Sequence, residues 1–495
     1  MKITIKNVIS TLLLQVITVL CGFIVPKLII STYGSDVNGL VVSITQFLGY
    51  ITLLEAGFGP LIKSILYKPV SKNNKEEIEE ILKTSENIFR KIAYIFLIYI
   101  LFLCVLFPFI ISNNFDKLFT ISLVLIISIS IFSEYFFGMT YKLYLQVRGK
   151  IYVISIIQTS ILLINTIVTV ILVKLNTNIQ IVKLVSVFIL VMRPIAQNLY
   201  VKKKYNISLK NNSGNYVIKQ KWDAFMQHIA YVIHTNIDMI LITIFMNVKE
   251  VSVYSIYLLI LNSISNFSIS FLGGTDAIFG DMVAKNDYNR LNSRFKTFIN
   301  IYFSIISIIF SATLFLILPF IKLYTKGITD ANYIRPLFSY IIVIATFIYL
   351  LKRPFYDLVK AAGHFKETKM GAVIEALLNL IISVALIFKF GLVGAAIGTL
   401  ISTFIRTIEI MYYTMVHILK DKFNYIIKRL VLIIIDFIII SILVFLINYN
   451  VNNYIDWIIY ALLVTIISAL IIIISNIFIN NNLLKEIKKM RKTSN

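Results

Sequence analysis

Cysteine is nearly missing from these 495 residues. Cys21 and Cys104 each lie inside an apolar run, which excludes a disulfide framework and a paired-cysteine metal site. Four histidines occur, of which His228 and His234 are six apart and therefore not on one helical face, while His364 and His417 fall near the ends of apolar segments. No metal-ligand spacing results. There is no GxxxxGK[ST] phosphate loop, so the chain is not expected to hydrolyse ATP itself. The paired carboxylates of a glycoside hydrolase cannot be picked out either. Charge is also scarce, at 14% of residues, where a soluble domain carries about 25%. One soluble core cannot hold such a chain.

What is present is apolar: 58% of residues are hydrophobic, bunched into runs of about twenty, the length that crosses roughly 30 Å of hydrocarbon as a helix. Runs such as Leu430 to Ile447 do not alternate apolar with polar residues, which excludes barrel strands. Candidate spans fall near 8–31, 38–60, 92–112, 118–141, 151–174, 179–200, 224–247, 252–280, 297–320, 336–358, 368–388, 391–418, 429–448 and 454–479. The expected fold class is all-α integral membrane, with about fourteen transmembrane helices. The apolar stretch from Val8 to Ser31, following Lys2 and Lys6, is too long for a signal-peptide core and has no small-residue cleavage site, so it reads as the first span.

The net charge of +23 does not point to nucleic acid, because the basic residues sit between apolar segments and form no single basic and aromatic surface. Loops on the amino-terminal side, including Lys202, Lys203, Lys204 and the tail from Lys485 to Lys492, hold about thirty-six Lys and Arg. The opposite side holds about nine. Both termini are therefore expected in the cytoplasm, in a cell inner membrane.

Laid over itself with a shift of 213 or 214 residues, the chain matches at unlike landmarks. Lys72, Asn73 and Asn74 fall on Lys285, Asn286 and Asp287; Gly149 falls on Gly363, Asn165 on Asn379 and Arg193 on Arg406. The shift covers six helices, an even number, so two pseudo-symmetric six-helix lobes of one orientation are expected. Residues 1–213 form the first lobe, 214–426 the second, and 427–495 add two extra helices and a basic tail. The stretch Val201 to Lys221, rich in Lys, Asn, Ser and Gly, reads as the connector. Between the second and third spans, Glu76, Glu77, Glu79 and Glu80 open a helix whose Ile78, Ile81, Leu82, Ile88 and Phe89 share a face. That pattern suits either a helix along the membrane surface or an arm packed on the protein.

Ionisable groups inside lipid cost at least about 2.5 kcal/mol each on insertion scales and should face protein or water. Lys27, Glu55, Glu134, Arg193, Asp238, Asp276, Arg353, Glu375, Arg406, Glu409 and Asp436 all fall within spans. Glu134, Asp276 and Arg353 lie within about two turns of a cytoplasmic span end, where snorkelling is an equal alternative to a cavity role. Arginine suits phosphate, since its planar fork makes bidentate bonds and keeps its charge. Arg193, Arg406, Arg353 and Lys27 are therefore the expected substrate-binding residues. Glu55, Asp238 and Glu375 are the expected coupling or cavity acids. The competing reading pairs each arginine with a carboxylate, Arg406 with Glu375 or Glu409.

Tyr33-Gly34-Ser35-Asp36-Val37-Asn38-Gly39-Leu40, then Gln46-Phe47-Leu48 and Leu54-Glu55-Ala56-Gly57-Phe58-Gly59, resemble the opening of polysaccharide repeat-unit flippases of the multidrug, oligosaccharidyl-lipid and polysaccharide (MOP) exporter superfamily. Ala361 to Lys366 and Gly391 to Thr399 are similar to that family's second lobe, although Gly394, Gly398 and Ser402 at four-residue spacing equally describe close helix packing. The resemblance runs from residue 1 to about 420. It implies a non-enzymatic exporter that carries a polyprenyl-diphosphate-linked oligosaccharide by alternating access, without a cofactor, alongside membrane lipid and polysaccharide polymerase partners. Coupling to a proton or sodium gradient stays open. A lipid II flippase and a multidrug extruder share the expected fold. A membrane sugar polymerase or ligase would need a large external loop, whereas the longest external link, Tyr324 to Arg335, is about a dozen residues.

Overall fold

The computed structural model describes residues 2–55, 58–111, 115–209, 222–273, 275–447 and 449–479. The expected lobe boundary at 213 and 214, most of the connector, and the basic tail lie outside them, as do the side chains of His228 and Asp276. The described residues form helices in the order α1 (Lys2–Gly49), α2 (Thr52–Glu55), α3 (Phe58–Ser71), α4 (Lys75–Ile110), α5 (Lys117–Ser133), α6 (Met139–Val147), α7 (Ile151–Lys174), α8 (Ile179–Tyr205) and α9 (Trp222–Phe245). They continue as α10 (Val248–Ser270), α11 (Thr275–Ala284), α12 (Tyr288–Tyr324), α13 (Pro336–Ala361), α14 (Phe365–Phe390), α15 (Leu392–Tyr413), α16 (Asn424–Ile447) and α17 (Tyr454–Ile479). Single π turns occupy Glu134–Gly138 and Thr414–Ile418.

Twelve of these helices, some merged across short breaks, are long and apolar enough to cross a membrane. One of them, Ile5–Glu55, is 51 residues long, more than twice what one crossing needs. It is divided at Gly34, whose φ of 87° no helix continues through. The second half is capped from a distance, since the Ser35 amide and hydroxyl donate to the two Asp330 carboxylate oxygens at 2.6 and 2.8 Å. The apolar part of α9, Ile229–Phe245, is shorter than the rest. The expectation of about fourteen spans is thus met approximately.

The Glu-rich segment after the second span is continuous with the third, within the 36 residues of α4. Asn74 caps it by accepting from the Glu77 amide, and Ile78, Ile81, Leu82 and Phe89 are buried against protein. It is a packed arm.

Corresponding stretches of the chain use the same local devices. Helix α4 starts at Lys75 and α12 at Tyr288, 213 apart; α7 starts at Ile151 and α14 at Phe365, 214 apart. Asn73 and Asn286 both turn through positive φ, at 51° and 56°. The following Asn74 and Asp287 each cap the next helix through a side-chain oxygen. Gly149 and Gly363 do the same work before α7 and α14, at φ 65° and 76°.

Packing divides the chain into two compact units, one of residues 1–255 with 328–331 and one of 256–327 with 332–495. In the first, α1 lies along α7, α7 along α8, and α4 and α8 flank α5. Its core includes Leu40, Ile44, Leu82, Phe89, Phe96 and Tyr144. In the second, α15 packs on both α13 and α14, and α17 packs on α12. A smaller apolar cluster of Ala312, Ile440, Tyr460 and Val464 ties α16 and α17 to α12.

Candidate functional site

Charged residues inside the first unit gather where α5 gives way to α6. The π turn Glu134–Gly138 breaks the regular 3.6-residue register, a device that often re-aims side chains at functional sites. Glu134 takes Arg193 of α8 at 2.9 Å on one oxygen and Lys142 of α6 at 3.2 Å on the other. The adjacent Tyr135 donates its hydroxyl to Glu55 of α2 at 2.8 Å. Gly138 makes this possible: a Cβ there would stand 2.5 Å from Cβ of Pro194, so α8 could not come as close beside Arg193. Two cations therefore share one carboxylate at Glu134, and Nε of Arg193 has no hydrogen-bond partner. With Glu55 counted, two cations face two carboxylates, and the formal charge of the group balances.

Two other expected residues of this unit lie on α9 and α1. Asp238 of α9 is 6% exposed and accepts the Tyr254 hydroxyl at 3.0 Å. Lys27 follows Pro26 within α1 and is half-buried. The resemblance segment performs packing here. Asp36 pairs with Lys249 at 3.3 Å, Asn38 donates to Ser252 at 2.8 Å, and a Cβ on Gly39 would overlap the Val248 carbonyl.

The second unit assembles a larger charged network on three helices. Lys352 of α13 donates to Oε1 of Glu375 on α14 at 2.5 Å. Arg406 of α15 places Nε 3.8 Å from Oε2 of Glu375, donates to Glu409 at 2.6 Å, and donates to the Thr368 carbonyl at 3.0 Å. Arg406 is 2% exposed and fully engaged, whereas Glu409 is 43% exposed. Gly371 leaves the space, since a Cβ there would collide with both Arg406 and Glu409. Next to Lys352 on α13, Arg353 stands 4.0 Å from Asp357 one turn further on, which Lys360 also contacts at 3.2 Å. Four cations face three carboxylates.

The structure thus brings Glu375 and Arg406 together and joins Arg193 to Glu134. Lys352, Lys142 and Tyr135 were not among the expected site residues. Lys352 was visible in the sequence as a second charge beside Arg353 in an apolar run; Lys142 and Tyr135 carried no comparable signal. The pairing of arginine with carboxylate matches the competing sequence reading for Arg406. Among the described residues no group of three His, Cys, Asp or Glu is placed to hold a metal.

The same unit contains an apolar cavity of about 800 Å³. Phe310, Val343, Phe347, Phe404, Phe437 and Ile442 contribute to its wall, drawn from α12, α13, α15 and α16.

The long apolar helices are those of a multi-pass α-helical membrane protein, and its fold is shared with solved MOP-type transporters. Residues 224–385 match the MatE family model. The solved lipid II flippase MurJ, in an inward closed conformation, is similar over 97% of this chain and 100% of that one, with TM-score 0.70 and 16% identity. A multidrug resistance MATE family transporter of the MOP superfamily, inward-facing, is similar over 80% of this chain and 93% of that one, with TM-score 0.60 and 13% identity. The Vibrio cholerae MATE transporter VcmN in its bent form covers 83% and 96%, with TM-score 0.53 and 12% identity. No curated protein matches the chain.

Proposed function

We propose that the chain is a MOP-superfamily flippase that carries a polyprenyl-diphosphate-linked oligosaccharide repeat unit from the cytoplasmic to the outer face of the cytoplasmic membrane. The observation that carries this reading is the pairing, in one unit, of an 800 Å³ apolar cavity with a charged network in which cations outnumber carboxylates. A long isoprenoid tail needs the first and a diphosphate the second. Similarity in fold to a protein that flips lipid II, itself a lipid-linked sugar, agrees with it.

In this proposal Arg193 in the first unit and Arg353 in the second are each available to a phosphate, because each shares its carboxylate with a second cation. Lys27 adds charge from α1. Arg406, buried and held by Glu375 and the Thr368 carbonyl as well, joins only where a phosphate takes the place of the exposed Glu409 and keeps the guanidinium paired. Glu55 and Asp238 each accept a tyrosine hydroxyl, an arrangement suited to gaining and losing a proton during a transport cycle. Glu375, tied to Lys352, holds α13 to α14. The domain scheme is a first lobe of 1–213, a second of 214–426, and a terminal helix pair with a basic tail. Both termini lie in the cytoplasm, and polymerases of the same glycan are the partners.

The second reading, a multidrug extruder, draws on the fold shared with MATE transporters. A photoactivatable polyprenyl-diphosphate disaccharide separates the two. It should crosslink to Phe347 or Phe437 and be displaced by unlabelled lipid-linked oligosaccharide. Displacement by lipophilic cations instead, or no crosslinking to the cavity wall, would overturn the flippase reading.

A further inference from the structure

A second cavity lies within the first unit, at the helix ends that bear Lys202, Lys203 and Lys204. Its volume is about 370 Å³, and Lys83, Glu86 and Arg90 of α4, Tyr141 of α6, Lys202 of α8 and the chain after α8 line it. It shares no residue with the charged group around Glu134.

Three cations and one carboxylate face this space. Glu86 takes Lys83 at 2.9 Å on one oxygen and Arg90 at 3.0 Å on the other, which satisfies the carboxylate and leaves charge over. Lys202 has no carboxylate within 4 Å among the described residues; its ammonium lies 5.6 Å from the ring of Tyr141. The neighbouring Glu79 is turned to the Ser208 amide at 2.9 Å and to Lys75 at 3.9 Å. Two buried donors are also unused. Tyr141 is 2% exposed and its hydroxyl has no hydrogen-bond partner, and the same holds for Nε of Arg90. Burying such donors unsatisfied is unfavourable, so they select for a ligand that accepts hydrogen bonds. The guanidinium carbon of Arg90 lies over the Phe136 ring, 5.0 Å from its centroid, a cation–π contact that restrains its fork.

We infer that this cavity is a binding site for a phosphate-class anion, separate from the proposed transport residues. Surplus charge of two, a restrained arginine fork, two flexible ammonium groups and a buried hydroxyl donor match a tetrahedral oxyanion with several acceptor oxygens. The space is far larger than the roughly 30 Å³ share of one water and admits a phosphoester. Phosphate chemistry of this kind has two sources at a membrane surface, the headgroup of an anionic phospholipid and free phosphate.

The test uses the full chain in phosphatidylcholine nanodiscs, with acylation of Lys202 read by mass spectrometry against Lys203 and Lys204 as internal references. Inorganic phosphate is added in one arm, and phosphatidylglycerol is built into the bilayer in the other. One of the two should slow acylation of Lys202 by about fivefold or more while sparing the references, as desolvation of a paired ammonium requires. Protection by phosphatidylglycerol alone assigns a lipid headgroup; protection by phosphate assigns a soluble ligand. Arg90→Gln and Tyr141→Phe, which keep Glu86 paired with Lys83, should each raise the concentration for half-protection by about tenfold, equivalent to about 1.4 kcal/mol. Absence of protection by both probes, or protection undiminished in the double variant, overturns the site.

Discussion

Lys352 and Glu375 meet on neighbouring helices α13 and α14 at 2.5 Å, each with 9% of its side chain exposed. Removing Glu375 takes the carboxylate from the buried Lys352, and removing Lys352 leaves Glu375 only its longer contact with Arg406, whereas removing both leaves neither charge of the pair buried. Lys352→Ala or Glu375→Ala should each lower stability by about 3–5 kcal/mol, and Lys352→Met with Glu375→Leu should restore most of it. Thermal unfolding of the purified protein in detergent checks this. A double variant no more stable than either single one would show that the pair does not hold the helices together.

Acid should weaken the junction between α15 and α16. Burial raises the Asp421 carboxyl, but hydrogen bonds from Lys296, Asn292 and the Lys422 amide outweigh it, and the net direction is downward from the ordinary value. A depressed carboxylate stabilises fully above the ordinary Asp range and loses that contribution as pH falls through the folded value. Asp421→Asn should therefore unfold more easily at neutral pH and show a weaker loss between pH 5 and the acid limit, by about one proton of linkage. Parallel pH curves for the variant and the wild type would contradict the assignment.

Sidedness follows from the excess of Lys and Arg in alternate loops. With Cys21 and Cys104 replaced by alanine, single cysteines at Asn286 and Asn450 should react with an impermeant maleimide from opposite faces, Asn450 from outside. Both positions are exposed. Labelling of both from the same face would break the even spacing of spans on which the orientation rests.

The long helices were legible because lipid demands length and apolarity, which a single sequence displays directly. The recurring 213-residue offset was legible too, since turn residues such as Asn73 and Asn286 need a left-handed backbone that few residue types accept. The division of α1 at Gly34 was not marked by composition, because its cap, Asp330, is almost 300 positions away. Charge pairing was equally hidden. Nothing in the spacing of Glu134 and Arg193, 59 residues apart, shows that a π turn and the Gly138–Pro194 contact will join them. The same limit applies to Lys352, whose partner Glu375 belongs to the next helix.

The direct test of the flippase account uses Arg193, because Lys142 still neutralises Glu134 when the arginine is lost. Arg193→Ala should thus fold and reconstitute at wild-type levels. Proteoliposomes would hold a fluorescent polyprenyl-diphosphate oligosaccharide, and its sugar would be probed with an impermeant glycosidase. Wild-type protein should move the sugar across the bilayer. Arg193→Ala should slow this by about tenfold or more per folded molecule, with Arg193→Lys between the two because a point charge lacks the bidentate fork. Unchanged turnover in Arg193→Ala, or no movement of the sugar by the wild type, would contradict it.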